Sequence, residues 1–238
     1  MKNHRKSRKW IILTLIMAAA LITAWKTGMF YYSAAHYKAD ASVDWNLILV
    51  NRFNHIPDDY EVKLLTLSNG EQVDERIYPE LQSMFDNARS EGLQLFVRAG
   101  YRTWDQQQTL LDRRIAEFRE AGYSEQKAAR LAREWVAEPG TSEHQLGLAV
   151  DINADTSVTS SDMVYSWLDM NACHYGFIRR YPPDKAEITG VSDEQWHYRY
   201  VGTAAAMEMD AQNLCLEEYL DAAASREGFL MQLLDFWG

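Results

Sequence analysis

The sequence predicts a single α+β domain preceded by a membrane segment. Strand-like alternations and helical stripes follow one another without the strict β-α-β order of a doubly wound sheet. The 238 residues are 47% apolar and 12% aromatic, enough for one core of ordinary domain size. With 5 Pro and 12 Gly against 8 Trp and 13 Tyr, the composition excludes a low-complexity chain too polar to offset its ordering entropy.

Strands are expected over Glu61–Leu67 and Gln72–Ile77, because both runs flank Ser68-Asn69-Gly70 and Asn-Gly is the strongest short hairpin signal. Pro79–Glu91 places Leu81, Met84, Phe85 and Ala88 on one helical face, with Pro at its start and Gly92 past its end. Leu93, Leu95 and Val97 alternate with Gln94, Phe96 and Arg98 as a strand. A turn at Gly100 leads to helices over Thr103–Glu120 and Ser124–Val136, and Ala137–His144 reads as a loop. In the next strand Leu148, Val150 and Ile152 make one bulky face, while Gly147, Ala149 and Asp151 leave room for a site on the other. A helix over Ser161–Tyr175, strands over Gly176–Tyr181 and Trp196–Val201, and two C-terminal helices complete the pattern.

The charge is unevenly distributed. The formal net charge is −10, yet residues 1–30 hold six Lys and Arg and no Asp or Glu, so the rest of the chain carries −16. So acidic a body repels a phosphate backbone, which excludes general nucleic-acid binding. The basic head, residues 1–9, precedes sixteen uncharged residues from Trp10 to Trp25, about 24 Å of helix against a hydrocarbon core of roughly 30 Å. Lys26 can snorkel and Met29–Tyr32 can extend the span, so residues 10–32 read as an uncleaved signal-anchor. The positive-inside rule puts residues 1–9 in the cytoplasm. Residues 33–43 then form a linker, and residues 44–238 form an extracytoplasmic domain. The cysteines, Cys173 and Cys215, can pair in an exported chain or lie as two buried thiols.

Of the six histidines, His144 and His197 stand near strand edges in acidic company, in SEHQLGLAVD (Ser142–Asp151) and DEQWHYRY (Asp193–Tyr200). Two imidazoles and one carboxylate, His144, Asp151 and His197, can make a three-ligand Zn2+ site with a fourth position free for water. Nitrogen and carboxylate oxygen donors suit zinc better than magnesium or calcium. Glu194, three residues before His197, is placed to serve as general base and acid. By residue types alone the alternative stays open: His144 capping a loop, Asp151 paired with a surface Arg, and Glu194 and His197 as polar edge residues.

SEHQLGLAVD followed by EQWH resembles the S-x-H-x-x-G-x-A-x-D and E-x-W-H pair of the zinc D-alanyl-D-alanine peptidases, which include VanY-type carboxypeptidases and VanX-type dipeptidases. LVNRFNHIP (Leu49–Pro57), Gly100-Tyr101-Arg102-Thr103 with Gln107, GFIRRYP (Gly176–Pro182), ITG (Ile188–Gly190) and LEEYL (Leu216–Leu220) resemble VanY-type sequence in the same order. The resemblance implies a mostly antiparallel sheet with flanking helices, the Hedgehog/DD-peptidase-like zinc fold. It implies zinc ligands at His144, Asp151 and His197 and the catalytic acid/base at Glu194. Arg102 would polarise the scissile carbonyl or hold the substrate's terminal carboxylate. Gln107 and Ser142 would contact substrate, and Trp196 would shape the pocket or pack as a core aromatic. Ala99, where relatives often have Ser, and Gln195, where Pro is common, depart from the pattern without touching a ligand or the base.

These features imply a membrane-anchored D,D-carboxypeptidase acting on peptidoglycan stem peptides. An L,D-carboxypeptidase, an L-alanyl-D-glutamate endopeptidase or a D-Ala-D-Ala dipeptidase shares the scaffold, and a non-catalytic cell-wall peptide-binding module is the alternative of another class.

Overall fold

The computed structural model describes residues 44–225. The expected basic head, anchor and linker lie outside the described residues, and none of the described helices is long and apolar enough to cross a membrane.

The hairpin forms as β1 (Leu64–Thr66) and β2 (Gln72–Asp74), antiparallel, with Gly70 at positive φ in its turn. The side chain of Asn69 donates to the carbonyl of Val97 at 2.7 Å, tying this turn to the main sheet. Both strands are shorter than expected. The Asp74 carboxylate accepts from the backbone N–H of Arg76 and caps a 3-10 turn over Glu75–Ile77, which draws the chain out of the extended path.

Helix α1 (Tyr78–Ser90) buries Leu81, Met84, Phe85 and Ala88, the stripe read from the sequence. β3 (Leu95–Ala99) leads to α2 (Trp104–Glu120), whose Thr103 and Gln106 form a reciprocal capping box. Helix α3 (Glu125–Ala132) stops four residues short of the expected Val136. The chain turns there, so that Val136 packs with Leu111 and Ala132 while Trp135 stays exposed.

A 3-10 turn over Glu143–Leu146 ends at Gly147, whose left-handed φ of 72° would strain any other residue and where a Cβ would stand 3.0 Å from the Asp74 backbone nitrogen. Then come β4 (Ala149–Ala154), α4 (Ser161–Asn171) continued by a 3-10 turn to Tyr175, and β5 (Phe177–Tyr181). A short helix absent from the sequence reading, α5 (Ala186–Thr189), precedes β6 (Glu194–Tyr200), which starts two residues earlier than expected. α6 (Thr203–Gln212) follows, and the described part of the next helix spans 216–225.

The main sheet has the order β3-β4-β6-β5 with every neighbouring pair antiparallel. Leu148, Val150 and Ile152 are fully buried in the core with Leu81, Phe85 and Leu168 from α1 and α4. At roughly 1.5–3 kcal/mol per buried aliphatic side chain, this packing fixes which face of β4 is left for Asp151. A second cluster packs α6, Leu216 and Leu220 against Ile178 and Val201. Cys173 and Cys215 are both free and buried. Burial pushes both thiols up, Cys215 to about 12.

Candidate active site

The antiparallel pairing of β4 with β6 sets Asp151 opposite His197. Pairing of β3 with β4 sets Ala99 opposite Asp151, across a register shift between Val97 and Ala99. This delivers the Gly100–Thr103 turn to the same place. His144 arrives from the 3-10 turn ahead of β4 rather than from a strand edge.

His144, Asp151 and His197 converge, with one ligand atom from each lying within 4.8 Å of the others. His144 Nε2 is 3.3 Å and His197 Nδ1 is 3.2 Å from Asp151 Oδ1. The opposite ring nitrogens face acceptors: His144 Nδ1 is 2.7 Å from the carbonyl of Gly100, and His197 Nε2 is 3.5 Å from Glu143 Oε2. With N–H on these outer nitrogens, the inner nitrogens would offer their lone pairs to a metal.

Asp151 Oδ1 is buried and has no hydrogen-bond partner. An unsatisfied carboxylate oxygen between two imidazole nitrogens is costly unless a cation completes it. The N, N, O donor set is the kind that zinc takes with a further position open.

Gly100 is needed for this arrangement. A Cβ there would stand 2.1 Å from the carbonyl oxygen of Gln72, so only glycine lets the turn pass close enough to receive His144. The backbone N–H of Arg102 also donates to the carbonyl of His144 at 3.1 Å.

Glu194 Oε2 lies 3.7 Å from His197 Nδ1. The strand irregularity opposite β5, where Tyr181 pairs with Glu194 after a register shift, turns its carboxylate to the ligand cluster. Burial raises the Glu194 pKa, with the Asp151 and Glu143 charges acting in the same direction against His197 and Arg102. For Asp151 burial acts upward too, but His144 and His197 outweigh it and hold the carboxyl well below the usual carboxylate range. Burial lowers His144 despite the Asp151 charge, whereas Asp151 and Glu143 overcome burial and push His197 up to about 9.

Arg102 is partly exposed, and its Nη2 is 3.2 Å from Asp151 Oδ2, the oxygen turned away from the imidazoles. Trp196 is 39% exposed and therefore is not a core aromatic. Gln107 and Ser142 are both buried. Gln107 donates from Nε2 to the carbonyl of Ala137 at 2.7 Å, while its Oε1 has no partner.

Comparison with known proteins settles the family. The model of the family described as VanY, D-alanyl-D-alanine carboxypeptidase, matches residues 70–203. The chain belongs to the VanY family. It is 58% identical over 178 residues to an Enterococcus faecalis D-alanyl-D-alanine carboxypeptidase, an alignment covering 75% of this chain and 66% of that protein. It is 33% identical over 189 residues to VanXYC of Enterococcus gallinarum, a bifunctional D-Ala-D-Ala dipeptidase and D-Ala-D-Ala carboxypeptidase, covering 75% of this chain and 95% of the relative. Among solved structures, VanYB in complex with D-alanine-D-alanine superposes with a TM-score of 0.73 at 58% identity, covering 75% of this chain and 98% of that one. VanY from a VanB-type resistance cassette in complex with Zn(II) gives 0.72, also at 58%, covering 74% and 99%.

Behind the candidate ligands lie buried charged residues to which the sequence reading gave no role. Glu143 is buried between Arg180, whose Nε lies 2.8 Å from Oε1, and Arg199, whose Nη1 lies 3.0 Å from the same oxygen. Arg180 also forks onto Glu217 through bonds of 2.8 and 2.6 Å. Burial opposes ionisation of Glu143, but the two guanidiniums overcome it and hold the carboxyl far below its ordinary range. One available signal was the arginines inside aromatic-rich strand runs, FIRRY and EQWHYRY, at positions where a buried charge requires a partner.

Proposed function

We propose that this chain is a zinc-dependent D,D-carboxypeptidase that removes the terminal D-alanine from peptidoglycan stem peptides outside the bacterial membrane. The observation that carries this reading is the convergence of His144, Asp151 and His197 around an unsatisfied carboxylate oxygen, with Glu194 beside them. His144 Nε2, His197 Nδ1 and Asp151 Oδ1 would hold the zinc. Zinc bound there supplies a Lewis acid for the scissile carbonyl and acidifies water.

Glu194 then takes a proton from the attacking water as its oxygen bonds to the carbonyl carbon. It returns that proton to the leaving amine as the carbon–nitrogen bond breaks. The raised pKa of Glu194 suits both halves of this transfer. Arg102, partly exposed beside its contact to Asp151, pairs with the substrate's terminal carboxylate. Trp196 lines the entrance, and the unpartnered Gln107 Oε1 and the buried Ser142 supply polar contacts at the substrate.

The uncharged run from Trp10 to Trp25 behind a basic head supports a membrane anchor for this domain. The 58% identity to VanY from a VanB-type resistance cassette supports a contribution to glycopeptide resistance.

Mass-spectrometric product analysis with muramyl pentapeptide, tetrapeptide and free D-alanyl-D-alanine tests the reading. Loss of one alanine from pentapeptide is the expected result. Preferential cleavage of tetrapeptide would replace the substrate by that of an L,D-carboxypeptidase, the activity named for LdcB, which superposes with a TM-score of 0.64 at 35% identity, covering 74% of this chain and 86% of that one. Cleavage chiefly of the free dipeptide would make it a dipeptidase, and zinc-loaded protein that cut none of the three would favour a peptide-binding module.

A further inference from the structure

Glu143 is adjacent in sequence to His144 but contacts the other imidazole, that of His197. Its two carboxylate oxygens have separate partners. Oε1 receives Arg180 Nε at 2.8 Å and faces Arg199 Nη1 at 3.0 Å, whereas Oε2 lies 3.5 Å from His197 Nε2. Neither arginine can turn away. Arg180 is fully buried and forked onto Glu217, and Arg199 is fully buried with Nη2 donating to the carbonyls of Asn46 and Ile48 at 3.1 and 2.9 Å. The guanidiniums occupy Oε1, so Oε2 is the oxygen left for the imidazole.

We propose that Glu143 is a positioning residue, clamped by Arg180 and Arg199, that accepts the Nε2–H of His197 and so presents the Nδ1 lone pair of His197 to the metal. This rests on the reading of His144, Asp151 and His197 as zinc ligands. A carboxylate behind a ligand imidazole fixes ring rotation and tautomer and makes the inner nitrogen a better donor. For His144 the carbonyl of Gly100 has the same geometric place, but it is neutral, so the two imidazoles have unequal support.

Glu143→Gln is the diagnostic variant because its shape is unchanged and its hydrogen-bond polarity is not. Arg180 Nε donates to Oε1 and Arg199 Nη1 faces it as an ion pair; neither guanidinium offers an acceptor, so that position keeps the amide oxygen. The amide NH2 then faces His197 Nε2, favouring the tautomer that carries its proton on Nδ1, the atom meant for zinc. Glu217→Gln is the control: it weakens the same buried ion cluster on the far side of Arg180 without a contact to His197.

The experiment is competition for zinc between the full chain and a chromophoric chelator, for the wild type, Glu143→Gln, Glu217→Gln and His197→Ala, with thermal melting of each. The expected result is zinc affinity about 10–100-fold weaker in Glu143→Gln and within about twofold of wild type in Glu217→Gln, although both melt lower. Equal affinities in Glu143→Gln and wild type would overturn the positioning role while leaving the zinc site standing. Equal weakening in both Gln variants would overturn it as well, by making the effect one of stability. Undiminished affinity in His197→Ala would instead overturn the zinc-ligand reading beneath it. If Glu143→Gln does not fold, long-range 1H–15N correlation of the zinc-loaded wild type decides: a His197 proton on Nε2 is expected, and one on Nδ1 would refute the proposal.

Discussion

Asp151 and His197 are direct cross-strand partners of β4 and β6, and the pairing brings His197 Nδ1 to 3.2 Å from Asp151 Oδ1. A sheet register therefore sets two of the three candidate ligand positions. Slipping either strand by one residue would turn its own member of the pair to the opposite face and into the core, separating the two, so packing of Val150 and Ile152 protects the site geometry.

Glu194→Ala is expected to keep bound zinc and the fold while losing about 10²–10⁴-fold in kcat, because the variant deletes the proton carrier but none of the three ligand atoms. Metal content and product release measured on the same preparation check this. Near-wild-type turnover would assign the proton transfer to another group.

Arg102→Lys retains the charge and loses the fork. Hydrogen bonds to a charged group contribute about 1.5–3 kcal/mol, so kcat/KM for pentapeptide should fall about 10–150-fold. Steady-state kinetics on pentapeptide measure the loss, and a variant as efficient as wild type would remove Arg102 from substrate binding.

Chelation should destabilise the protein. Removing a ligand present at about 1,000 times its Kd costs about 4 kcal/mol of folding stability, and re-addition of zinc should restore it. Calorimetric melts before and after EDTA treatment read this shift. Identical curves would mean that the convergent cluster holds no zinc in solution.

Gly100→Ala is expected to lower the melting temperature and to weaken zinc binding together. The new methyl group would meet the Gln72 carbonyl at 2.1 Å and displace the backbone oxygen that receives His144 Nδ1. Melting and chelator competition on one sample check whether the two losses coincide.

Cys173 and Cys215 should react with a thiol reagent slowly in the folded protein and to two equivalents in denaturant, since both are free, buried and raised in pKa. A denatured, unreduced sample with no reactive thiol would show that the two are joined.

Local periodicity by itself determined the α+β class, the buried stripe of α1 and the two-faced strand carrying Asp151. These depend on residues a few positions apart, whose spacing fixes which side of an element they share. Chemistry and motif spacing also nominated His144, Asp151, Glu194 and His197 as candidates, because few residue types can bind zinc or carry a proton beside it, and the structure brings these four together. Strand and helix ends were less legible: the cap at Asp74 shortened β2, and the inward turn of Val136 shortened α3. Only the tertiary structure decided that Glu143 serves His197 rather than its neighbour His144, that Arg180 and Arg199 clamp it, and that the Gly100 carbonyl receives His144. In sequence a buried charge and a solvated one look the same. The difference is made by partners brought in from distant segments, and the desolvation cost that makes those partners obligatory exists only once the chain has packed around them.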